Sequence, residues 1–113
     1  MRRVFVCSPL RAGRGRTVED NFALARRLCR AAVASGCAPI APHLLFTQFL
    51  DDDVHDERVV GMAAGVAWID ACEAVWVYAE NLEDCSEGMR AEVTVALGIG
   101  KPVLYRPTAW RNL

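Results

Sequence analysis

The sequence predicts a small doubly wound α/β domain, in which a four-stranded parallel sheet is flanked by helices. Three observations predict it. Short β-branched and aromatic runs alternate with longer segments of helical period, giving the order β-α-β-α-β-α-β. Every strand-to-strand connection contains a helix, which is the connection that parallel strands need. The chain has 113 residues, 53% hydrophobic and 24% charged, which suits one core and one domain over residues 1–113 and is too apolar for disorder.

The first strand is Val4 to Cys7, stopped by Ser8-Pro9. Arg11-Ala12-Gly13-Arg14-Gly15-Arg16 follows as a loop. Thr17 reads as an N-cap, with Glu19 and Asp20 in the first turn of a helix over residues 18–35. The apolar face of that helix is expected to carry Phe22, Ala25, Cys29, Ala32 and Val33, and Gly36 ends it.

The second strand, residues 38–41, contains Pro39 and closes at Pro42-His43, which assigns it to a sheet edge. Leu44 to Leu50 is apolar without a period. Asp51-Asp52-Asp53 then supplies an acidic start for a helix over residues 56–71, with Val59, Ala63, Val66 and Ala67 expected on one face. The third strand spans residues 75–79, and Asn81 to Cys85 is a polar loop. A third helix covers residues 87–97 and ends at Gly98 and Gly100, before a last strand at 102–105.

Thirteen Lys and Arg residues against fourteen Asp and Glu leave a net charge of −1. No global basic field favours a nucleic-acid polymer, so a small molecule is the expected partner. The five cysteines are odd in number and lack CxxC spacing, which predicts reduced thiols and no zinc site. The apolar run near Met1 is too short for a signal-peptide core, and no stretch reaches the roughly 20 apolar residues of a bilayer span. The expected setting is therefore the cytoplasm, without a membrane partner.

In a doubly wound sheet the ligand lies beyond the carboxyl ends of the strands, which directs attention to Ser8–Arg16, Pro42–Asp53, Glu80–Gly88 and the chain from Arg106 onward. Arg11, Arg14 and Arg16, interleaved with Gly13 and Gly15, read either as an anion-binding loop or as a solvated basic turn. Ser86 can cap the third helix, and Gly88 leaves its first turn open to an anion. Glu92 falls at the edge of that helix's apolar face, between Ala96 and Val95 and near Met89. A carboxylate there is either a functional group with a raised pKa or a paired structural acid. His43 follows a strand end and reads as a ligand contact or as a hydrogen-bonding structural residue.

Several of these segments share a resemblance. Val4-Phe5-Val6-Cys7-Ser8-Pro9-Leu10-Arg11, Pro39-Ile40-Ala41-Pro42-His43, Trp76-Val77, Ser86-x-Gly88-x-x-x-Glu92 and Gly100-Lys101-Pro102-Val103 together resemble the nucleoside 2-deoxyribosyltransferase superfamily. Within it the chain is similar to the deoxynucleoside-monophosphate N-glycosidases. The resemblance covers nearly the whole chain, and the Ser-x-Gly-x-x-x-Glu helix start with the Gly-Lys-Pro strand is its most specific part. It implies a flavodoxin-like fold, a homo-oligomer, no cofactor, and attack on the anomeric carbon of a 2-deoxyribosyl group by a glutamate.

Glu92 matches that nucleophile, and Glu73 aligns with a second catalytic acid that is usually Asp. The implied substrate contacts are Ser8, Arg11, Gly13, Arg14, His43, Ser86 and Gly88, with Ser86 and the arginine loop toward a phosphate. Phe5 stands where the family carries a tyrosine. Two functions follow as expectations: cleavage or transfer of the N-glycosidic bond of a 2′-deoxynucleoside or its 5′-monophosphate, or a non-catalytic module that senses or sequesters a nucleotide. A homodimer or larger assembly is expected to bury a tryptophan, with Trp76 and Trp110 as the candidates, and the chain from Arg106 to Leu113 is a candidate to complete a neighbour's pocket.

Overall fold

Val4, Phe5, Val6 and Cys7 are each no more than 1% exposed, because their strand is paired on both sides and covered on both faces. The computed structural model describes residues 1–106. Its strands are β1 (Arg2–Cys7), β2 (Cys37–Ile40), β3 (Ala74–Val77) and β4 (Val103–Tyr105). Its helices are α1 (Val18–Ala34), α2 (Pro42–Leu45), α3 (His55–Ile69) and α4 (Glu87–Gly98). The strands lie in the order β2-β1-β3-β4, and all three pairings are parallel, so the fold is the doubly wound α/β sheet that the alternation of elements predicts. β2, with Pro39 inside it, is an edge strand.

The period-two alternation of β1 divides the core. Val4 and Val6 join Ala74 and Trp76 beneath Leu24, Leu28, Ala31 and Ala32 of α1. Phe5 and Cys7 join Val75 and Val77 on the other face, beneath Ile69 of α3 and Met89, Val93 and Ala96 of α4. From β1 the chain therefore crosses one face to β2, and from β3 it crosses the other face to β4. This places the topological switch point between β1 and β3, where a crevice opens beyond their carboxyl ends.

α1 starts as predicted, in a capping box. The Thr17 hydroxyl accepts from the Asp20 N–H at 3.0 Å, and the Asp20 carboxylate accepts from the Thr17 N–H at 2.9 Å. Its buried face differs from the predicted one: Asn21, Leu24, Leu28 and Ala31 point inward with Ala25 and Ala32, and Val33 is exposed. The aperiodic segment after β2 contains α2, opened by Pro42, and a 3₁₀ turn over Phe46–Gln48.

α3 also departs from its predicted face. Gly65 and Ile69 are buried and the predicted Val66 packs partly buried against the core, whereas Val59, Ala63 and Ala67 are exposed. The helix crosses closely over α2, where a Cβ on Gly65 would meet Pro42 Cβ at 3.2 Å. Trp76 is buried within the chain, with the Arg106 guanidinium 4.2 Å from its ring centroid. Trp110 and the rest of the segment after Arg106 lie outside the described residues. No helix among the described residues is long and apolar enough to cross a membrane.

Candidate functional site

A cavity of about 560 Å³ occupies the switch point. Three segments frame it: the loop from Pro9 to Arg16 after β1, the stretch from Tyr78 to Asp84 after β3, and the first turns of α4. Arg58, Met62 and Val66, one stripe of α3, close a further side, and His43 reaches it from α2.

The loop after β1 is shaped by a two-residue turn. Gly13 and Arg16 exchange both backbone hydrogen bonds, at 3.0 and 2.9 Å, around Arg14 and Gly15 with φ of 51° and 76°. Two successive positive φ values are the type I′ geometry, which Gly15 accommodates without strain. Asn21 anchors the start of this loop: its Nδ2 donates to the carbonyls of Leu10 and Arg11, each at 3.0 Å. A buried Asn on an apolar helix face is the signal in the sequence that would have revealed it.

The arginines of this loop have distinct partners. Arg14 Nη1 donates to the Asp84 carbonyl on the opposite rim. Arg16 stacks 5.2 Å from the Tyr78 ring centroid, and its Nη2 donates to the Tyr78 hydroxyl at 3.4 Å. Arg11 Nε lies 3.9 Å from an Asp52 carboxylate oxygen. Arg11, Gly13 and Arg14 all line the cavity.

Across the cavity, Ser86 is the N-cap of α4, accepting from the Met89 N–H at 3.3 Å. The serine hydroxyl proton is thereby left for another acceptor. A Cβ on Gly88 would meet nothing within 4 Å, so this first turn stands open to the cavity.

Glu92 lies one turn further on, beside Met89, and lines the cavity with 9% of its surface exposed. Loss of solvent pushes its carboxyl up to about 8, and a hydrogen bond from the Cys7 thiol acts in the opposite direction. The free protein therefore holds Glu92 mainly protonated at neutral pH. The carboxylate becomes the favoured form when positive charge develops beside it.

His43 is buried with its pKa lowered, chiefly by desolvation, and its Nε2–H donates to the Ser8 carbonyl at 2.7 Å. The neutral ring thus leaves Nδ1 as an acceptor. Ser8 is fully buried beside the cavity-lining Pro9, and its Oγ has no hydrogen-bond partner among the described residues.

Glu73 is not brought to this cavity. It precedes β3 and so lies at the amino end of the sheet, where its carboxylate accepts from the Arg3 N–H at 2.6 Å and from Arg3 Nη2 at 2.8 Å. Hydrogen bonds from Arg3 hold its carboxyl down to about 2. Strand polarity alone separates it from residues at the carboxyl ends. Phe5 is also removed from the site, being fully buried in the core below α4. Tyr78, Arg58 and Met62 are cavity residues that the sequence reading missed. Tyr78 was legible as the residue at the carboxyl end of β3, whereas the other two depend on how α3 packs.

Among solved structures, the chain is similar to a 2-deoxyribosyltransferase from the psychrotolerant bacterium Bacillus psychrosaccharolyticus, described as a biocatalyst for nucleoside synthesis. The TM-score is 0.68 at 13% identity, covering 91% of this chain and 70% of that one. The two proteins share a fold. No curated protein matches the sequence. Residues 2–106 match the family described as Domain of unknown function (DUF7768), and the chain belongs to that family.

Proposed function

We propose that the protein cleaves or transfers the N-glycosidic bond of a 2′-deoxynucleoside or its 5′-monophosphate, with Glu92 as nucleophile. The observation that carries this reading is a desolvated carboxyl at the floor of a cavity at the switch point, one turn inside a helix whose N-terminus opens to the same cavity. Breaking an N-glycosidic bond builds positive charge on the sugar, which draws out the carboxylate form of Glu92. Its oxygen bonds to C1′, and the electrons of the glycosidic bond pass to the base nitrogen, which takes up a proton from solvent water. Water or a second base then displaces Glu92 from C1′.

A 5′-phosphate finds donors on both rims: the Ser86 hydroxyl and the open first turn of α4 on one side, and Arg11 on the other. The nucleoside transferase that shares the fold supports the choice of substrate class. In this reading the site needs no cofactor or metal, and Glu73 has no part in the reaction.

A second reading is a nucleotide-binding module without turnover. The burial of Phe5, which leaves no tyrosine hydroxyl near Glu92 from that position, and the remote position of Glu73 favour it. Incubation with a panel of deoxynucleosides and monophosphates, with chromatography for free base, separates the two. Base release that is lost in Glu92→Gln supports the enzyme, and monophosphate binding without release from any substrate supports the module.

A further inference from the structure

Arg58 differs from the other arginines of the cavity wall. Arg11 pairs with Asp52, Arg14 with the Asp84 carbonyl and Arg16 with Tyr78. The Arg58 guanidinium has no acceptor among the described residues. It is half-buried near the start of α3, and it lines both the main cavity and a small adjoining one of about 60 Å³.

The two cavities give the site a direction. Leu10, His43, Asp52, Arg58, Met62 and Glu92 line both, whereas Ser86, Gly88 and Met89, at the start of α4, line the main cavity alone. Glu92 therefore stands between the open N-terminus of α4 and an end formed by α2 and α3. With the sugar at Glu92 and a phosphate at α4, the base points to the α2–α3 end, because the C1′ and C4′ substituents leave a furanose ring on opposite sides of its oxygen. Leu10 and Met62 give that end apolar surface for the faces of a base, and Arg58 is the free donor for its edge.

Resting on the reading of Glu92 as nucleophile, we propose that Arg58 is a catalytic residue that stabilises the departing base as an anion, and that the substrates are pyrimidine 2′-deoxynucleosides or their monophosphates. As a Glu92 oxygen bonds to C1′, the bond from C1′ to the base breaks and its electron pair passes to the ring nitrogen. In a pyrimidine the 2-carbonyl stands beside that nitrogen, so the charge spreads onto its oxygen. The Arg58 guanidinium donates to this oxygen, and the hydrogen bond strengthens as the charge grows, which lowers the barrier rather than merely tightening binding. The base nitrogen then takes its proton from solvent water. A purine has no carbonyl beside its glycosidic nitrogen and gains less.

The other groups at this end are already engaged. The His43 Nε2–H is given to the Ser8 carbonyl at 2.7 Å, Asp52 faces Arg11, and the Glu57 carboxylate accepts from the Asp51 N–H at 3.2 Å. Stabilisation by a fixed cation is therefore the means of departure that this end of the cavity offers.

The test measures kcat/KM for base release from 5-methyl-, unsubstituted and 5-fluoro-2′-deoxyuridine 5′-monophosphate, whose bases are progressively better anions. Wild type, Arg58→Met and Arg58→Lys are compared. The wild type should vary by less than about tenfold across the series, and Arg58→Met should lose about two to three decades on the 5-methyl substrate but only about one on the 5-fluoro. Arg58→Lys should fall between them, and added guanidinium ion should restore part of the activity of Arg58→Ala. If Arg58→Met fails to fold, Arg58→Gln makes the same comparison. The wild type should also release uracil faster than adenine from the matching monophosphates.

A loss equal across the series overturns the proposal, since it would mark a residue that only shapes the cavity, and so do unchanged rates. A second readout needs no turnover: with 2-deoxyribose 5-phosphate present, 5-fluorouracil bound to the wild type should ionise at a pH roughly one unit lower than in water, by its ultraviolet spectrum, and this shift should vanish in Arg58→Met. A base that titrates as in water overturns the proposal too. Retained release by Glu92→Gln would instead overturn the reading of Glu92 as nucleophile, so the two failures are distinguishable.

Discussion

Arg14 reaches across the crevice to the Asp84 carbonyl and so ties the loop after β1 to the loop before α4. The two rims of the cavity are thereby one mechanical unit, and the tie is made by a guanidinium whose backbone has positive φ. Arg14→Ala is expected to weaken nucleoside and monophosphate binding alike, by about fivefold, the equivalent of one exposed hydrogen bond of ~1 kcal/mol. Calorimetry with both ligands checks this, and a loss confined to the monophosphate would instead make Arg14 a phosphate contact.

The opposite pattern is expected for Ser86 and Arg11. Loss of a charge-assisted hydrogen bond costs about 1.5–3 kcal/mol, or about one to two decades of affinity, and should fall on the monophosphate far more than on the matching nucleoside. Because Ser86 also caps α4, Ser86→Gly is the cleaner variant, since glycine at an N-cap loses only a few tenths of a kcal/mol. Equal weakening for both ligands in Ser86→Gly and Arg11→Ala would remove the phosphate assignment.

Glu73 and Glu92 should separate in function as they do in space. Glu73→Gln is expected to leave base release unchanged, since its carboxylate binds Arg3 at the amino end of the sheet. Its contribution to stability runs in the usual direction for a depressed acid: present above the ordinary carboxylate range and lost as pH falls through about 2. Urea midpoints of wild type and Glu73→Gln should therefore differ at pH 7 and converge near pH 2.

Glu92 acts on stability with the opposite sign. A carboxyl raised from 4.5 to about 8 binds a proton in the folded state that the unfolded chain releases, so stability is fully present below pH 4.5 and falls as pH rises through 8. Glu92→Gln removes this dependence. It should be more stable than the wild type at pH 9, on the order of a few kcal/mol, while matching it at pH 4. Denaturation series at the two pH values check the sign.

How much of this was legible in the chain depends on which physical signal each residue leaves. Thr17 and Asp20 announce a helix start by local hydrogen bonding, and Ser86 does the same for α4, so both caps were readable. Glu92 was readable because a carboxylate on an apolar helix face must be desolvated. The orientation of α3 was not, since Val59, Val60 and Val66 are chemically alike and only the close crossing of Gly65 over Pro42 decides which face turns inward. The assignment of Glu73 to the site came from resemblance and is overridden by strand polarity, which sends the residue before a strand to the end opposite the ligand.

The misjudged face of α3 has a consequence for assembly. Val59, Val60 and Trp68 are 52%, 58% and 45% exposed on a helix that carries no charge from Val59 to Ile69. A homodimer is proposed to bury this face, with Trp68 rather than Trp76 at the interface. Light scattering at micromolar concentration should give a dimer mass for the wild type and a monomer mass for Val60→Glu. A monomeric wild type would end this proposal.

The central claim is that Glu92 attacks the anomeric carbon, and the most direct measurement is the rate of free-base release from 2′-deoxynucleoside 5′-monophosphates by wild type and Glu92→Gln across pH 5–9. Release by the wild type is expected, with kcat/KM rising toward a plateau above pH 8 as the carboxylate forms, and no release by a folded Glu92→Gln protein. Undiminished release by Glu92→Gln, or no release by the wild type from any substrate, would contradict it.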